Sequence, residues 1–196
     1  MQDFDRRREG LLAVAARVFA ARGYHRTSMR DLARASRMSL AGMYYYVAGK
    51  EDLLLAIQKG SFERVRQGAE AAVAAAATPS EKLQAFIRHH VSFFASHMDE
   101  MKVLSHEAES LTGPALEEVR RLKRAYVGLC DNLLAGLDGQ DGGRRTDRHV
   151  AAYTLFGMMN WIYTWYDPEG PVGVEELADS ICRLFLNGYA AEVHVR

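Results

Sequence analysis

The chain has 196 residues, 48% of them hydrophobic and 26% charged, which is a globular composition and excludes wholesale disorder. Twenty-five basic residues balance 25 acidic ones, so net charge names no partner. The distribution is uneven: residues 1–60 hold 11 Lys/Arg against 6 Asp/Glu, and the remainder 14 against 19. A basic head on an acidic body points the head toward a polyanion.

Leu11, Ala15, Val18 and Phe19 follow a 3.6-residue period and predict a first helix that stops at Gly23. Thr27 and Ser28 offer capping hydroxyls to a short helix ending near Ala35. Ser39 caps another running to about Val47, and a long helix follows from 50 to about 77. Thr78, Pro79 and Glu81 form a capping-box start for a helix over roughly 80–97. Helices are predicted at about 99–110 and 114–137, then at 147–166 and 174–190 beyond the glycine-rich stretch 138–146. Pro79, Pro114, Pro168 and Pro171 all fall at predicted helix boundaries. The expected fold is all-α, with about nine helices: a three-helix head over 1–49 and a helical body over 50–196.

Several function classes recede. There is no G-x-S-x-G elbow, P-loop, dinucleotide fingerprint or HExxH, so no enzyme and no catalytic residue is expected. Cys130 and Cys182 are far apart, without metal-ligand spacing, and read as buried thiols. His89, His90, His97 and His106, with Glu107 and Glu109 nearby, offer a metal-sensing alternative, but no metal and no cofactor is expected. The N-terminus lacks the apolar stretch of a signal peptide, and the most apolar segment, about a dozen residues from Leu155, is too short to span a bilayer. A soluble, cytoplasmic chain is expected.

Residues 27–54 carry the sharpest signal: a capped short helix, a turn and a second short helix, the helix-turn-helix plan. Met29, Leu32 and Ala33, with Met43, Tyr46 and Val47, would face the head's core. Leu40, Ala41, Gly42, Tyr44 and Tyr45 would face outward, and a major groove admits such a helix.

These residues resemble the tetracycline-repressor (TetR) family of bacterial transcriptional regulators. The resemblance covers about residues 8–58 and rests on Arg22-Gly23-Tyr24, Thr27-Ser28, Asp31-Leu32-Ala33, Ser39, Tyr44-Tyr45-Tyr46 and Lys50-Glu51-Asp52-Leu53-Leu54. Arg37 stands where the family usually has glycine, and Val47 where phenylalanine is usual. The resemblance implies double-stranded, pseudo-palindromic operator DNA as a partner, with Tyr44 and Tyr45 facing it. Thr27, Ser28 and Lys50 are expected at phosphates, Ser39, Leu40, Ala41 and Gly42 along the groove, and Arg37 either straining the turn or adding a phosphate contact.

In the body, Val174, Leu177, Ile181, Leu184 and Gly188 are spaced as a helical seam, with Val150, Tyr153, Gly157, Trp161 and Trp165 down one side of the preceding helix. Family members dimerise through their last two helices, which implies a homodimer with Val150, Tyr153, Gly157, Trp165, Val174, Leu177, Ile181, Leu184 and Gly188 at its interface. The tract from Leu155 through Asn160-Trp161, Trp165-Tyr166 and Pro168-Glu169-Gly170 is similar to the penultimate helix of family members that respond to acyl-coenzyme A thioesters. That likeness implies a repressor released by an acyl-CoA; the alternatives are another hydrophobic molecule, such as a drug or free fatty acid, or a metal. Phe86, His90, Phe94, Met98, Met101, Leu104, Leu129, Phe156, Met159, Asn160 and Trp161 are the candidate apolar site, with Tyr126 also available. Arg124 and Arg148 are the candidates for the nucleotide's phosphates, drawn from two basic clusters, Arg120/Arg121/Lys123/Arg124 and Arg144/Arg145/Arg148.

Overall fold

A computed structural model describes residues 2–138 and 147–190. Among the described residues the chain forms nine α-helices and no strand. They are α1 (Gln2–Arg22), α2 (Met29–Ala35), α3 (Leu40–Tyr44), α4 (Lys50–Ala74), α5 (Pro79–Ala95), α6 (Met98–His106), α7 (Gly113–Asp138), α8 (Arg148–Asn160) and α9 (Val174–Ala190). The stretch 138–146 lies almost wholly outside the described residues. None of the described helices is long and apolar enough to cross a membrane.

The chain divides into two compact units. The first is Met1–Glu63 with His97–Leu122, and the second is Arg64–Ser96 with Lys123–Arg196. Helices α4 and α7 are therefore each shared between the units, and α5 leads into α6 through Ser96 and His97 alone.

In the first unit, the helix-turn-helix forms because local hydroxyls cap both short helices. The Ser28 side chain accepts from the Asp31 amide while Asp31 accepts from the Ser28 amide, a complete capping box. Ser39 does half as much for α3, accepting from the Gly42 amide at 3.0 Å. Leu32 and Met43 are wholly buried, Ala33 and Val47 nearly so, and Met29 and Tyr46 are half-buried against the same core. Leu11, Ala15 and Phe19 bury one face of α1, and α6 packs against that helix with Val103 in the shared core.

In the second unit α5 packs along α9, and α8 touches both. The start of α5 carries the expected capping box, Thr78 with Glu81. Cys130 and Cys182 are buried free thiols, and burial pushes Cys130 up to about 12, so it is inert at neutral pH.

Two helices are shorter than their apolar pattern predicts. The helix expected over 147–166 ends at Asn160, and residues Trp161–Thr164 tighten into a 3-10 turn. The run is aromatic and β-branched, and the Thr164 hydroxyl donates to the Trp161 carbonyl at 2.7 Å, competing with the α-helical pattern. Helix α6 stops at His106 rather than near 110, because the chain turns there to send Glu107 back into the core.

Candidate DNA interface and ligand core

The exposed side of the helix-turn-helix carries the residues expected there. Tyr44 and Tyr45 are 52% and 72% exposed, Ala41 is exposed, and Gly42 and Leu40 are half-buried. Ser28 and Ser39 are exposed, and while the Ser39 oxygen accepts from the backbone, its O–H remains available to donate to a phosphate. Arg37 occupies the left-handed region at φ 55°, ending α2 in a Schellman-like turn in which the Met38 amide reaches the Ala33 carbonyl at 3.0 Å. Glycine takes this conformation without strain; arginine takes it at a cost of about 1–2 kcal/mol, while its side chain stays exposed.

Thr27 and Lys50, both expected at phosphates, also bond within the chain. Thr27 is 2% exposed and its hydroxyl donates to the Gly23 carbonyl at 2.8 Å, so it braces the turn after α1. The Lys50 ammonium donates to the Tyr24 and Thr27 carbonyls, both at 3.0 Å, and sits 4.2 Å from the centre of the Tyr24 ring. It ties the start of α4 to the loop between α1 and α2, with two of its three protons already engaged.

The first unit also contains a contact that no local pattern announces. The Glu107 side chain is buried and accepts the Tyr24 amide at 2.8 Å through Oε1 and the Ser110 hydroxyl at 2.6 Å through Oε2. Its backbone carbonyl takes the Gln58 amide group at 2.8 Å. His25 reaches Ser110 at 3.2 Å, and Thr112 donates to Glu51. The segment after α6 is thereby fastened to the end of α1 and to α4. Further along, Ser61 of α4 donates to Glu100 of α6, and Lys59 pairs with Glu118 of α7 at 2.7 Å.

In the second unit, five of the candidate ligand residues come together, Asn160 among them through its bond to His90. Phe86, His90, Phe94 and Phe156 pack with Tyr126 in one aromatic cluster, ring centres 4.8–6.4 Å apart. His90 is 1% exposed, with Nδ1 3.0 Å from Tyr126 Oη and Nε2 3.1 Å from Asn160 Oδ1. The Asn160 oxygen only accepts, so Nε2 carries the proton and Nδ1 accepts from the tyrosine. Burial pushes the imidazole down to about 3, and it is neutral at physiological pH. Asn160 itself reaches the surface, one end of a polar relay whose other members are buried.

The remaining candidates are dispersed. Met159 is wholly buried and Leu129 half-buried in the second unit. Met98, Met101 and Leu104 lie on α6 and belong to the first unit. Trp161 is 61% exposed. Arg124 and Arg148 are exposed on α7 and α8. Arg120 is engaged by Glu109 at 2.6 Å and Glu117 at 3.0 Å, while Arg144 and Arg145 lie outside the described residues. Among the described residues, no group of three or more His, Cys, Asp or Glu is arranged to hold a metal.

The last two helices present a large apolar face. Val150, Tyr153, Trp161, Trp165 and Leu184 are each at least half exposed, and Gly157 and Gly188 are open to solvent. Gly157, Met158, Trp161, Trp165, Leu177, Ser180, Ile181 and Leu184 line an open groove of about 500 Å³. Leu177 and Ile181 are 5% and 6% exposed and line the groove, and Val174 is half-buried.

The neutral His90 gives a pH dependence with a definite sign. In the unfolded chain this histidine binds a proton below about 6.5, whereas in the folded protein it does so only near 3. Stability from this residue is complete above 6.5 and is lost as pH falls, reaching about 2 kcal/mol at pH 5. Urea unfolding of wild type and His90→Gln at pH 8 and pH 5 checks this: the wild type loses about 2 kcal/mol more than the variant. Parallel losses contradict a buried, neutral His90.

Comparison with known proteins agrees with this geometry. The family model described as "Bacterial regulatory proteins, tetR family" matches residues 11–57, and that described as "Tetracyclin repressor-like, C-terminal domain" matches residues 76–189. The chain is 38% identical over 132 residues to the HTH-type transcriptional regulator BetI of Rhizobium meliloti, an alignment covering 67% of this chain and 64% of that protein. It is 28% identical to the HTH-type transcriptional repressor KstR2 of Rhodococcus jostii, over 94% of this chain and 92% of the relative. Among solved structures it is similar to AibR in complex with isovaleryl coenzyme A and operator DNA, with a TM-score of 0.81 and 32% identity over 91% of this chain and 97% of that one. A capped helix-turn-helix joined to a helical body, matched in both parts by the family's models, places this chain in the TetR family of transcriptional regulators.

Proposed function

We infer that the chain acts as a dimeric repressor, released from its operator by an acyl-CoA thioester. The observation that carries the ligand class is the His90 relay. It sets a neutral imidazole and a carboxamide beside a cluster of aromatic rings, with no charge among these groups. A carboxylate buried there would lack a cation, whereas a thioester carbonyl needs only a hydrogen-bond donor and an apolar wall for its acyl chain. The likeness to AibR, solved with isovaleryl coenzyme A and operator DNA, supports the same class. Arg124 and Arg148 are exposed cations suited to the nucleotide's phosphates.

Dimerisation is supported by the apolar face of α8 and α9. A second copy covers Trp161, Trp165 and Leu184, and two-fold symmetry sets two heads on successive major-groove segments of a pseudo-palindrome. In each head Tyr44 and Tyr45 meet the groove, with Ser28, Ser39 and Arg37 at its edges. Ligand packing against α5, α7 and α8 shifts α6 and α4, which changes the spacing between heads and weakens DNA binding. Linkage requires operator binding to weaken the ligand by the same factor.

Two measurements check this. A thermal-shift panel of isovaleryl-CoA, longer acyl-CoAs, free CoA and the corresponding free acids is expected to show a rise in Tm with the thioesters alone, growing with concentration. Response to free acids or drug-like cations alone contradicts the thioester assignment. In sedimentation, wild type runs as a dimer, and Leu184→Glu, which sets a carboxylate on the apolar face, runs as a folded monomer with operator affinity reduced at least tenfold. A Leu184→Glu protein that remains dimeric overturns the assigned interface.

A further inference from the structure

Tyr45 has an unusual position for a residue expected to read DNA. Helix α3 is five residues long and ends at Tyr44, so Tyr45 is its C-cap and stands at the edge of the recognition element. It is also 72% exposed. An exposed side chain on so short a helix is free to leave its rotamer, and ordering it on binding opposes affinity.

The first turn of α1 supplies a support. The Phe4 ring lies 5.6 Å from Tyr45 at 77°, edge to face, and 4.9 Å from Tyr46. Tyr45 and Tyr46 meet at 5.0 Å and 88°. Tyr45 is thus held edge-on against two rings while most of its surface stays open. Phe4 is half-buried, and the turn bearing it is knit by Asp3, which pairs with Arg6 at 2.9 Å and Arg7 at 3.2 Å. Phe4 belongs to neither helix of the helix-turn-helix and lies outside residues 11–57, the span matched by the N-terminal family model.

We propose that Phe4 is a specificity-positioning residue: it fixes the Tyr45 ring in the orientation that reads the operator, so discrimination by this chain extends beyond the helix-turn-helix to the start of α1. The proposal rests on the reading of Tyr45 as a DNA contact. Pre-fixing an exposed ring favours the one duplex whose groove matches it, whereas contacts to phosphates alone serve any sequence. Removing the support therefore lowers operator affinity more than affinity for random duplex.

The test uses the full-length protein and a duplex that the wild type selects from a randomised 20-base-pair library, with a shuffled duplex of equal length as reference. Fluorescence anisotropy at fixed salt gives both affinities. Phe4→Ala is expected to weaken the selected duplex about five- to tenfold and the shuffled one less than about twofold. Phe4→Leu, which keeps apolar volume but removes the ring, behaves like Phe4→Ala, and Phe4→Tyr restores wild-type discrimination. In a Tyr45→Ala background Phe4→Ala has no further effect on the selected duplex. Equal losses on both duplexes, additive losses with Tyr45→Ala, rescue by Phe4→Leu, or no loss at all overturn the proposal. Tyr45→Ala alone separates the two levels: if it leaves operator affinity unchanged, the DNA reading of Tyr45 fails, and if it weakens binding while Phe4→Ala does not, only the role of Phe4 fails.

Discussion

One buried carboxylate, Glu107, ties the segment after α6 to the turn after α1 and to α4. Glu107 accepts a backbone amide from the end of α1 and a hydroxyl from its own turn, while its carbonyl holds a glutamine from α4. An isolated carboxylate in such a place is costly; one with these donors is satisfied and directional. The consequence is mechanical. Helix α6, which follows α5 through only Ser96 and His97, packs on α1, and the segment after it is tied to the turn after α1 and to α4. The DNA-binding unit therefore includes α6 and the start of α7, and its connections to the second unit are the shared helices α4 and α7 and the short α5–α6 link. In the proposed mechanism these are the routes by which a ligand acts on the head.

Both units use polar side chains to join elements, and in the second Arg88 of α5 pairs with Asp179 of α9 at 2.8 Å. In the first, charged and polar side chains join elements: Lys50 grips two carbonyls, Glu51 holds Thr112, and Glu100 and Glu118 bind α4. In the second, the Tyr126–His90–Asn160 relay is neutral and set among rings, and Gly68 of α4 leaves room for the neighbouring His89, where an added Cβ would fall within 2.6 Å of Nε2.

Much of this was legible from residues alone where the signal is local. The capping pairs Ser28/Asp31 and Thr78/Glu81 sit three residues apart and mark their helices directly. The outward tyrosines and inward Leu32 and Met43 follow from helical period. Periodicity assigns a face but not a partner, and that is where expectation and structure part. Lys50 looked free because its acceptors, the Tyr24 and Thr27 carbonyls, are 26 and 23 residues away and are backbone atoms that no side-chain pattern encodes. Glu107 pairs across 83 residues and offers no local cue. Trp161 sits on an apolar stripe, and the 3-10 turn leaves it 61% exposed, which helical period alone does not reveal.

The most direct test of the account is the factor by which saturating isovaleryl-CoA weakens operator affinity in wild type and in Glu107→Ala, both assayed well below their melting temperatures. If the clasp carries ligand binding to the head, the wild type loses at least about tenfold in affinity, a coupling of about 1.4 kcal/mol. The variant still binds both partners with that factor close to one. An unchanged factor in Glu107→Ala contradicts the claim that α6 is driven through this carboxylate.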